Sequence, residues 1–414
     1  MNSSNKPVVV VIGNGMVGHK FCEKLMAASS SFQIVVFGEE PRPAYDRVHL
    51  SEYFNGKSAN DLSLSMAGWF DAEQDIVLHI GDPVREIDRT AKVIHSRKGI
   101  VQPYDFLVLA TGSAAFVPDI PGIEKQGVFV YRTIEDLDLI RDYAREARNG
   151  AVMGGGLLGL EAAKALLDLG ISHPHVIEFA SRLMPRQIDS AGSHILEGRL
   201  KKLGLQLHLN KTTLAVEGEG KVRSLRFADD TSLDLDMLVI SAGIRPRDEL
   251  ARLAGLQVGT RGGILVNEKM QTSDPQIFAI GECALVAGMI YGLVAPGYEM
   301  ADVVAANLAG GHKSFTGFDM STKLKLIGVD VASFGDAFVS EPDSRTIVFE
   351  DRHKGIYKRI NITGDGTRLL GGILIGDAAA YNMLLQTVNN RLPLPPDPED
   401  LSLAAGAGPP PEPV

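Results

Sequence analysis

The sequence predicts an α/β protein with two parallel-sheet units of one kind and a smaller α+β domain after them. Three observations predict it. A glycine-rich turn occurs twice, 141 residues apart, as Gly13-Asn14-Gly15-Met16-Val17-Gly18 and as Gly154-Gly155-Gly156-Leu157-Leu158-Gly159. Each turn follows a short, β-prone apolar run and opens a stretch of helical spacing, the strand–turn–helix pattern of a parallel sheet. From Ser321 the texture changes to short alternating runs, as expected of antiparallel strands.

Taken in chain order, residues 8–12, 34–38 and 107–110 read as buried parallel strands, with a helix over 16–28 between the first two. The pattern pauses at Pro118, Pro121 and Gly122, and a helix over 134–148 leads to the second glycine turn. That helix is rich in Asp, Glu and Arg, which reads as a solvated face with i,i+4 pairs. A second α/β unit fills 151–236. Its closing strand, 237–241, runs into Ala242-Gly243. Another apolar run, 277–281, and a helix over 298–309 follow. Strands are then expected at 323–328, 346–349, 357–362 and 369–375, with a last helix over 378–390. Eight prolines fall between Leu392 and Val414, and that stretch reads as a linker or tail.

The bulk composition is that of a globular protein, 45% apolar and 22% charged over 414 residues, enough for two or three domains. A net charge of −10 argues against nucleic acid as a partner. No apolar run approaches the roughly 18–20 residues of a membrane span. The polar start leads into a strand rather than a signal segment, so the expected location is cytoplasmic. The two cysteines, Cys22 and Cys283, have no partner spacing for a disulfide framework, a redox dithiol or a cluster site.

The chemistry of the turns comes from their glycines. Gly13 permits the tight turn, Gly15 lets backbone approach a pyrophosphate, and Gly18 lets helix and strand pack closely. The helix N-terminus then presents free N–H groups to the phosphates. An acid near the end of the second strand binds ribose hydroxyls. Here Glu39 lies 26 positions after Gly13, and Glu178 lies 24 positions after Gly154. Two such sites in one chain imply two dinucleotides, and a transfer of electrons between them. A carboxylate at Glu178 favours NADH over NADPH, because it bonds a free 2′-hydroxyl and repels a 2′-phosphate. Arg182, close by, works against that preference.

With Leu109-Ala110-Thr111-Gly112, Ser241-Ala242-Gly243 and Ile277-Phe278-Ala279-Ile280-Gly281-Glu282 added, the chain resembles the FAD-dependent pyridine-nucleotide disulfide oxidoreductase superfamily. That family has two nested Rossmann-like dinucleotide folds and a smaller C-terminal domain. The run from Glu39-Glu40-Pro41-Arg42 to Ser51 resembles its ferredoxin-reductase-like branch. The runs at 281–284, 292–301 and 321–331 resemble, more narrowly, the N-terminal flavoprotein region of assimilatory NAD(P)H nitrite reductase large subunits. The likeness extends to about residue 400.

The resemblance implies a discontinuous FAD-binding domain at 1–116 and 238–311, an NADH-binding domain at 117–237, a C-terminal interface domain at 312–391 and a tail at 392–414. It implies FAD contacts from Gly13, Gly15, Met16, Val17, Gly18, Glu39, Arg42, Arg47, Val84, Ala110, Thr111, Gly112, Gly281, Glu282 and Val294. NADH would lie on Gly154, Gly156, Leu157, Leu158, Gly159, Glu178, Ala242 and Gly243, with Glu161 positioning the nicotinamide. The implied activity is hydride transfer from NADH to FAD, with electrons passing on to an Fe–S or sirohaem protein or domain, in a homodimer. A free-standing ferredoxin or rubredoxin reductase, an NADH oxidase, and a flavin-bound sensor resembling apoptosis-inducing factor are the alternatives.

Three departures qualify the resemblance. Full large subunits continue into a cysteine-rich Fe–S segment and a sirohaem region. With two lone cysteines this chain is expected to supply electrons rather than to reduce nitrite by itself. The acid of the closing motif is Glu282 where Asp is usual. Glu52 stands where many relatives have a Lys facing the flavin and paired with the counterpart of Glu161. Two carboxylates there would repel and raise one pKa. Other conspicuous residues carry plainer readings: Cys283 as a buried packing thiol, His49 as a loop histidine satisfied by backbone, and His173 and His175 without a ligand set for a metal.

Overall fold

The computed structural model describes residues 6–65, 75–339 and 342–403. The chain divides into two units, one built from residues up to Ala115 with Arg132–Ile134 and Ile244–Phe318, the other from Phe116–Tyr131, Glu135–Gly243 and the chain from Asp319 onward.

In the first unit a five-stranded parallel sheet runs in the order Ile277–Ala279, Phe106–Leu109, Val8–Ile12, Gln33–Phe37, Ile76–His79. Its central strand is Val8-Val9-Val10-Val11-Ile12. β-Branched side chains suit a pleated sheet packed on both faces, and Val9, Val10 and Val11 are fully buried. The helices Met16–Ala28 and Val294–Leu308 pack against each other beside this sheet. The second helix starts four residues earlier than the spacing predicts. Pro296 lies in its first turn, where no N–H is needed for the helical ladder. The strand Ile76–His79 has no counterpart in the sequence reading. It follows residues 66–74, which lie outside the described residues, and its four positions are too short a run to show a period.

The second unit repeats the arrangement. Its parallel sheet is ordered Gln206–His208, His175–Ile177, Gly150–Met153, Met237–Ile240, Val128–Val130. An antiparallel three-stranded sheet, Thr213–Glu217, Ser224–Phe227 and Ser232–Asp234, closes one apolar face. The same unit holds a five-stranded antiparallel sheet, ordered Thr322–Leu326, Val329–Gly335, Leu369–Ile375, Ile356–Ile362, Arg345–Asp351, with helix Tyr381–Asn389 against it. Its first hairpin turns at Ile327 and Gly328, both with positive φ, the geometry of a two-residue turn. An isoleucine there is not a turn signal, so strand Val329–Gly335 is missed by periodicity. Helix Ser190–Lys202 lies on this sheet. Its N-cap Asp189 accepts the Gly192 N–H at 2.9 Å, the Tyr357 hydroxyl at 2.7 Å and Arg359 Nη1 at 2.9 Å.

The segment expected to be a tail turns back on the protein. Asp400–Leu403 is a short helix, Leu401 is buried, and Leu394 packs on the same apolar cluster. Two leucines among the prolines are enough to anchor it. Residues 404–414 lie outside the described residues. Among the described residues no helix is long and apolar enough to cross a membrane.

Candidate functional site

In each unit the glycine turn lies at the C-terminal end of the central parallel strand, where open α/β sheets bind ligands. In the first unit the Gly13 N–H donates to the Phe37 carbonyl at 2.8 Å. Gly13 itself has φ +115°, and a Cβ there would lie 2.1 Å from the Ala110 carbonyl oxygen. A Cβ on Gly18 would lie 2.0 Å from the Gly13 oxygen, so neither position admits a side chain. Gly15 differs, because a Cβ there meets nothing within 4 Å. Gly15 also caps helix Met16–Ala28, with no side-chain cap bond and no acid in the first turn. The helix therefore offers unsatisfied N–H groups to open space, which fits an anionic pyrophosphate.

The second unit repeats these backbone contacts. The Gly154 N–H donates to Ile177 O at 2.8 Å, a Cβ on Gly154 would lie 2.1 Å from Ser241 O, and one on Gly159 would lie 2.0 Å from Gly154 O. Gly156 faces open space and caps helix Leu157–Asp168 without a side-chain cap bond. Leu157 and Leu158, half-buried, form its first turn. Ala242 and Gly243 are exposed just past strand Met237–Ile240.

The first unit brings together motifs far apart in sequence, because their strands are neighbours. Gly13 meets Ala110, Ile280 N donates to Leu109 O at 3.0 Å, and Val17 lies against Gly281 and Gly297. Thr111 Oγ1 donates to the Arg247 carbonyl at 2.7 Å beside Gly112. Met16 is half-buried in the first helical turn, Val294 heads helix Val294–Leu308, and Val84 is buried at the start of strand Val84–Asp88. Glu282 Oε2 accepts from Ser113 Oγ at 2.6 Å and from Arg132 Nη2 at 2.7 Å, and the same Nη2 lies 2.8 Å from Ser113 Oγ. Ser113 and Arg132 were not foreseen. Arg132 is 150 residues from Glu282 in sequence, so no spacing could have flagged it.

The acids and bases near the first turn are mostly engaged. Glu39 is paired with Arg247. Glu40 accepts the Tyr45 hydroxyl at 2.7 Å and pairs with Arg47, which also donates to Arg132 O at 2.8 Å and lies 4.6 Å over the Tyr45 ring. Arg42 is half-buried on the same loop. Glu52, on the short helix Leu50–Asn55, is paired with Lys57, and that cation holds its carboxyl below the usual carboxylate range. No rise is seen at Glu52, whose neighbour five residues on is a lysine. His49 is bound not by backbone but by the Asp46 carboxylate at 2.7 Å. Cys283 is buried and its thiol is pushed up by burial.

In the second unit Glu178 is buried. Its Oε2 accepts the Gly155 N–H at 2.6 Å and its Oε1 the Ala180 N–H at 2.8 Å. Arg182 donates to the carbonyls of Ile188 at 3.2 Å and Pro185 at 3.1 Å. Glu161, on helix Leu157–Asp168, lies within electrostatic reach of the buried Tyr131, whose hydroxyl is pushed up by burial and then by that carboxylate. His175 Nδ1 lies 2.9 Å from His208 Nε2, a pair made by parallel strands that sequence could not show. Among the described residues no group of three or more His, Cys, Asp or Glu could hold a metal.

Comparison with known proteins agrees with this geometry. The model of the pyridine nucleotide-disulphide oxidoreductase family matches residues 7–307, and that of the rubredoxin NAD+ reductase C-terminal domain matches 321–392. The nitrite reductase (NADH) large subunit of Escherichia coli (strain K12) is 48% identical over 408 residues, covering 98% of this chain and 48% of that protein. The assimilatory nitrate reductase electron transfer subunit of Bacillus subtilis (strain 168) is 38% identical, covering 92% of this chain and 49% of that protein. The chain thus spans about half the length of these relatives. Among solved structures, the covalent putidaredoxin reductase–putidaredoxin complex is similar with a TM-score of 0.83 at 26% identity, over 97% of this chain and 99% of that one.

Proposed function

The chain belongs to the pyridine nucleotide-disulphide oxidoreductase family, with FAD and NAD(P)H as its cofactors, and from that premise we propose that it is the electron-input part of nitrite reduction. The observation that carries this is the recurrence of one open, uncapped turn, at Gly15 and at Gly156, in two units of a single chain. FAD, when bound, would supply the capacity to take a hydride from dihydronicotinamide and to release electrons one at a time.

The chain's own part is binding and orientation. FAD is assigned to 1–116 with 238–311, and NADH to 117–237. Gly13, Gly15 and Gly18, with the first turn at Met16 and Val17, hold the FAD pyrophosphate. Ala110, Thr111, Gly112, Gly281 and Glu282 flank the same strand ends, and Arg132 neutralises Glu282 there. Gly154, Gly156 and Gly159 hold the NADH pyrophosphate, and Glu161 positions the nicotinamide. Glu178 favours the unphosphorylated ribose, and Arg182 is oriented by the carbonyls of Ile188 and Pro185. Lys57 is paired with Glu52 beside the short helix Leu50–Asn55. The segment 312–391 is assigned to acceptor docking or to a homodimer contact, in the cytoplasm.

A second reading, a free-standing reductase that docks a separate acceptor protein, is favoured by one observation: the likeness to putidaredoxin reductase extends over nearly the whole of both chains. Anaerobic titration with NADH tests the common ground, since the flavin absorbance must bleach stoichiometrically. Adding an Fe–S/sirohaem module from a relative then separates the readings. NADH-driven nitrite loss supports the first, and turnover only with a small redox protein supports the second. Protein that stays colourless in excess flavin overturns both.

A further inference from the structure

The two turns solve one problem in opposite ways. Because Gly13 N–H bonds Phe37 O as Gly154 N–H bonds Ile177 O, the counterpart of Glu178 is Gly38, not Glu39, and the counterpart of Gly155 is Asn14. In the second unit the acid carries the side chain and the turn residue has none. A Cβ on Gly155 would lie 3.0 Å from the Glu178 carboxylate and 2.8 Å from Leu183 Cδ2. In the first unit the arrangement is reversed. A Cβ on Gly38 would lie 3.1 Å from Asn14 Cβ, with Asn14 Nδ2 at 3.9 Å. The asparagine side chain lies against Gly38 as the Glu178 side chain lies against Gly155, and Glu39, one residue on, is paired with Arg247.

Both Asn14 amide atoms, Nδ2 and Oδ1, are buried and have no hydrogen-bond partner among the described residues. A buried amide without partners is unfavourable, so such a group signals a partner yet to arrive. An amide donates and accepts, as each hydroxyl of a vicinal diol does. The end of the second strand is also where dinucleotide folds bind ribose hydroxyls. The geometry points to Asn14 as a residue that binds the adenosine ribose of FAD, because Gly38 stands where the second unit has Glu178. This rests on the assignment of FAD to the first unit.

The test uses the full chain, stripped of flavin and titrated with FAD and with FMN, which has no adenosine. Asn14→Leu, nearly isosteric, weakens FAD binding about 10- to 100-fold, the scale of one or two lost hydrogen bonds. FMN affinity stays the same, so the FAD-over-FMN preference falls by that factor. The Tm of the flavin-free variant is equal to or above that of the parent, because an unpaired buried amide has been removed. An unchanged FAD affinity overturns the inference. So does a matching loss for both flavins with a lowered flavin-free Tm, which would make Asn14 a structural residue or a water ligand. Asn14→Ala gives the same comparison should the leucine variant not fold. Parent protein that binds neither flavin would instead remove the FAD assignment itself.

Discussion

Glu178 folds back under its own glycine turn, its Oε2 accepting the Gly155 N–H at 2.6 Å while Oε1 accepts from Ala180. The acid proposed to set nucleotide preference also holds the turn in shape. Arg182, close by in sequence, donates to the carbonyls of Ile188 and Pro185 and not to this carboxylate.

Replacing Glu178 by Gln keeps the size and one acceptor but removes the charge. The expected result is a KM for NADH raised about tenfold, the scale of one weakened charged hydrogen bond. The KM for NADPH should change less, so the gap between the two narrows. An NADH/NADPH ratio equal to that of the parent removes the ribose role.

Gly15 and Gly18 separate binding from folding. A side chain at Gly15 enters open space, so Gly15→Val is expected to fold with a Tm near the parent's and to purify colourless. Gly18→Val places carbon 2.0 Å from the Gly13 oxygen and is expected not to accumulate as folded protein. Gly156→Val, the same change in the second unit, should stay yellow yet no longer bleach with NADH. A yellow Gly15→Val protein would count against the pyrophosphate assignment.

Arg132 and Glu282 are each 22% exposed and share Ser113. Removing Arg132 takes the charged hydrogen-bond donor from a largely buried carboxylate and leaves it the Ser113 hydroxyl. Arg132→Ala is therefore expected to cost ~1–3 kcal/mol in urea unfolding, and the double change with Glu282→Ala less than the sum of the single ones. Strict additivity would mean the two do not interact.

Asp189 links stability to pH. Burial pushes its carboxyl up, but the Gly192 N–H, the Tyr357 hydroxyl and Arg359 together hold it below the usual carboxylate value of 3.8. A depressed native pKa contributes stability that is present above the unfolded value and is lost as pH falls through the lower, native one. Asp189→Asn should thus lower Tm most at neutral pH, and the deficit should shrink as pH falls below about 4, measured by thermal melts across that range. A deficit that is constant with pH would show that the charge is not what matters.

Both glycine turns, the parallel strands beside them and the change to an antiparallel C-terminal sheet were legible in the residues. Each is a local pattern: a turn needing glycine at 13, 18, 154 and 159, or a run of β-branched side chains. Strand Ile76–His79 and the hairpin at Ile327-Gly328 were not, since the first is too short for a period and the second carries isoleucine where a turn signal would stand. Leu394 and Leu401 anchor a segment that composition alone marks as a tail.

The sequence by itself determined that two dinucleotide folds exist, because the constraints on each turn come from backbone crowding within a few residues of the glycines and on adjacent strands. Tertiary structure alone decided what the polar side chains do. Whether Glu39 or Gly38 matches Glu178, whether Arg182 is available, and that Arg132 reaches Glu282 across 150 positions depend on register and on hydrogen bonds between segments distant in the chain. Local patterning reports what a stretch of backbone can form, but charges and amides find their partners only after the strands have been brought side by side.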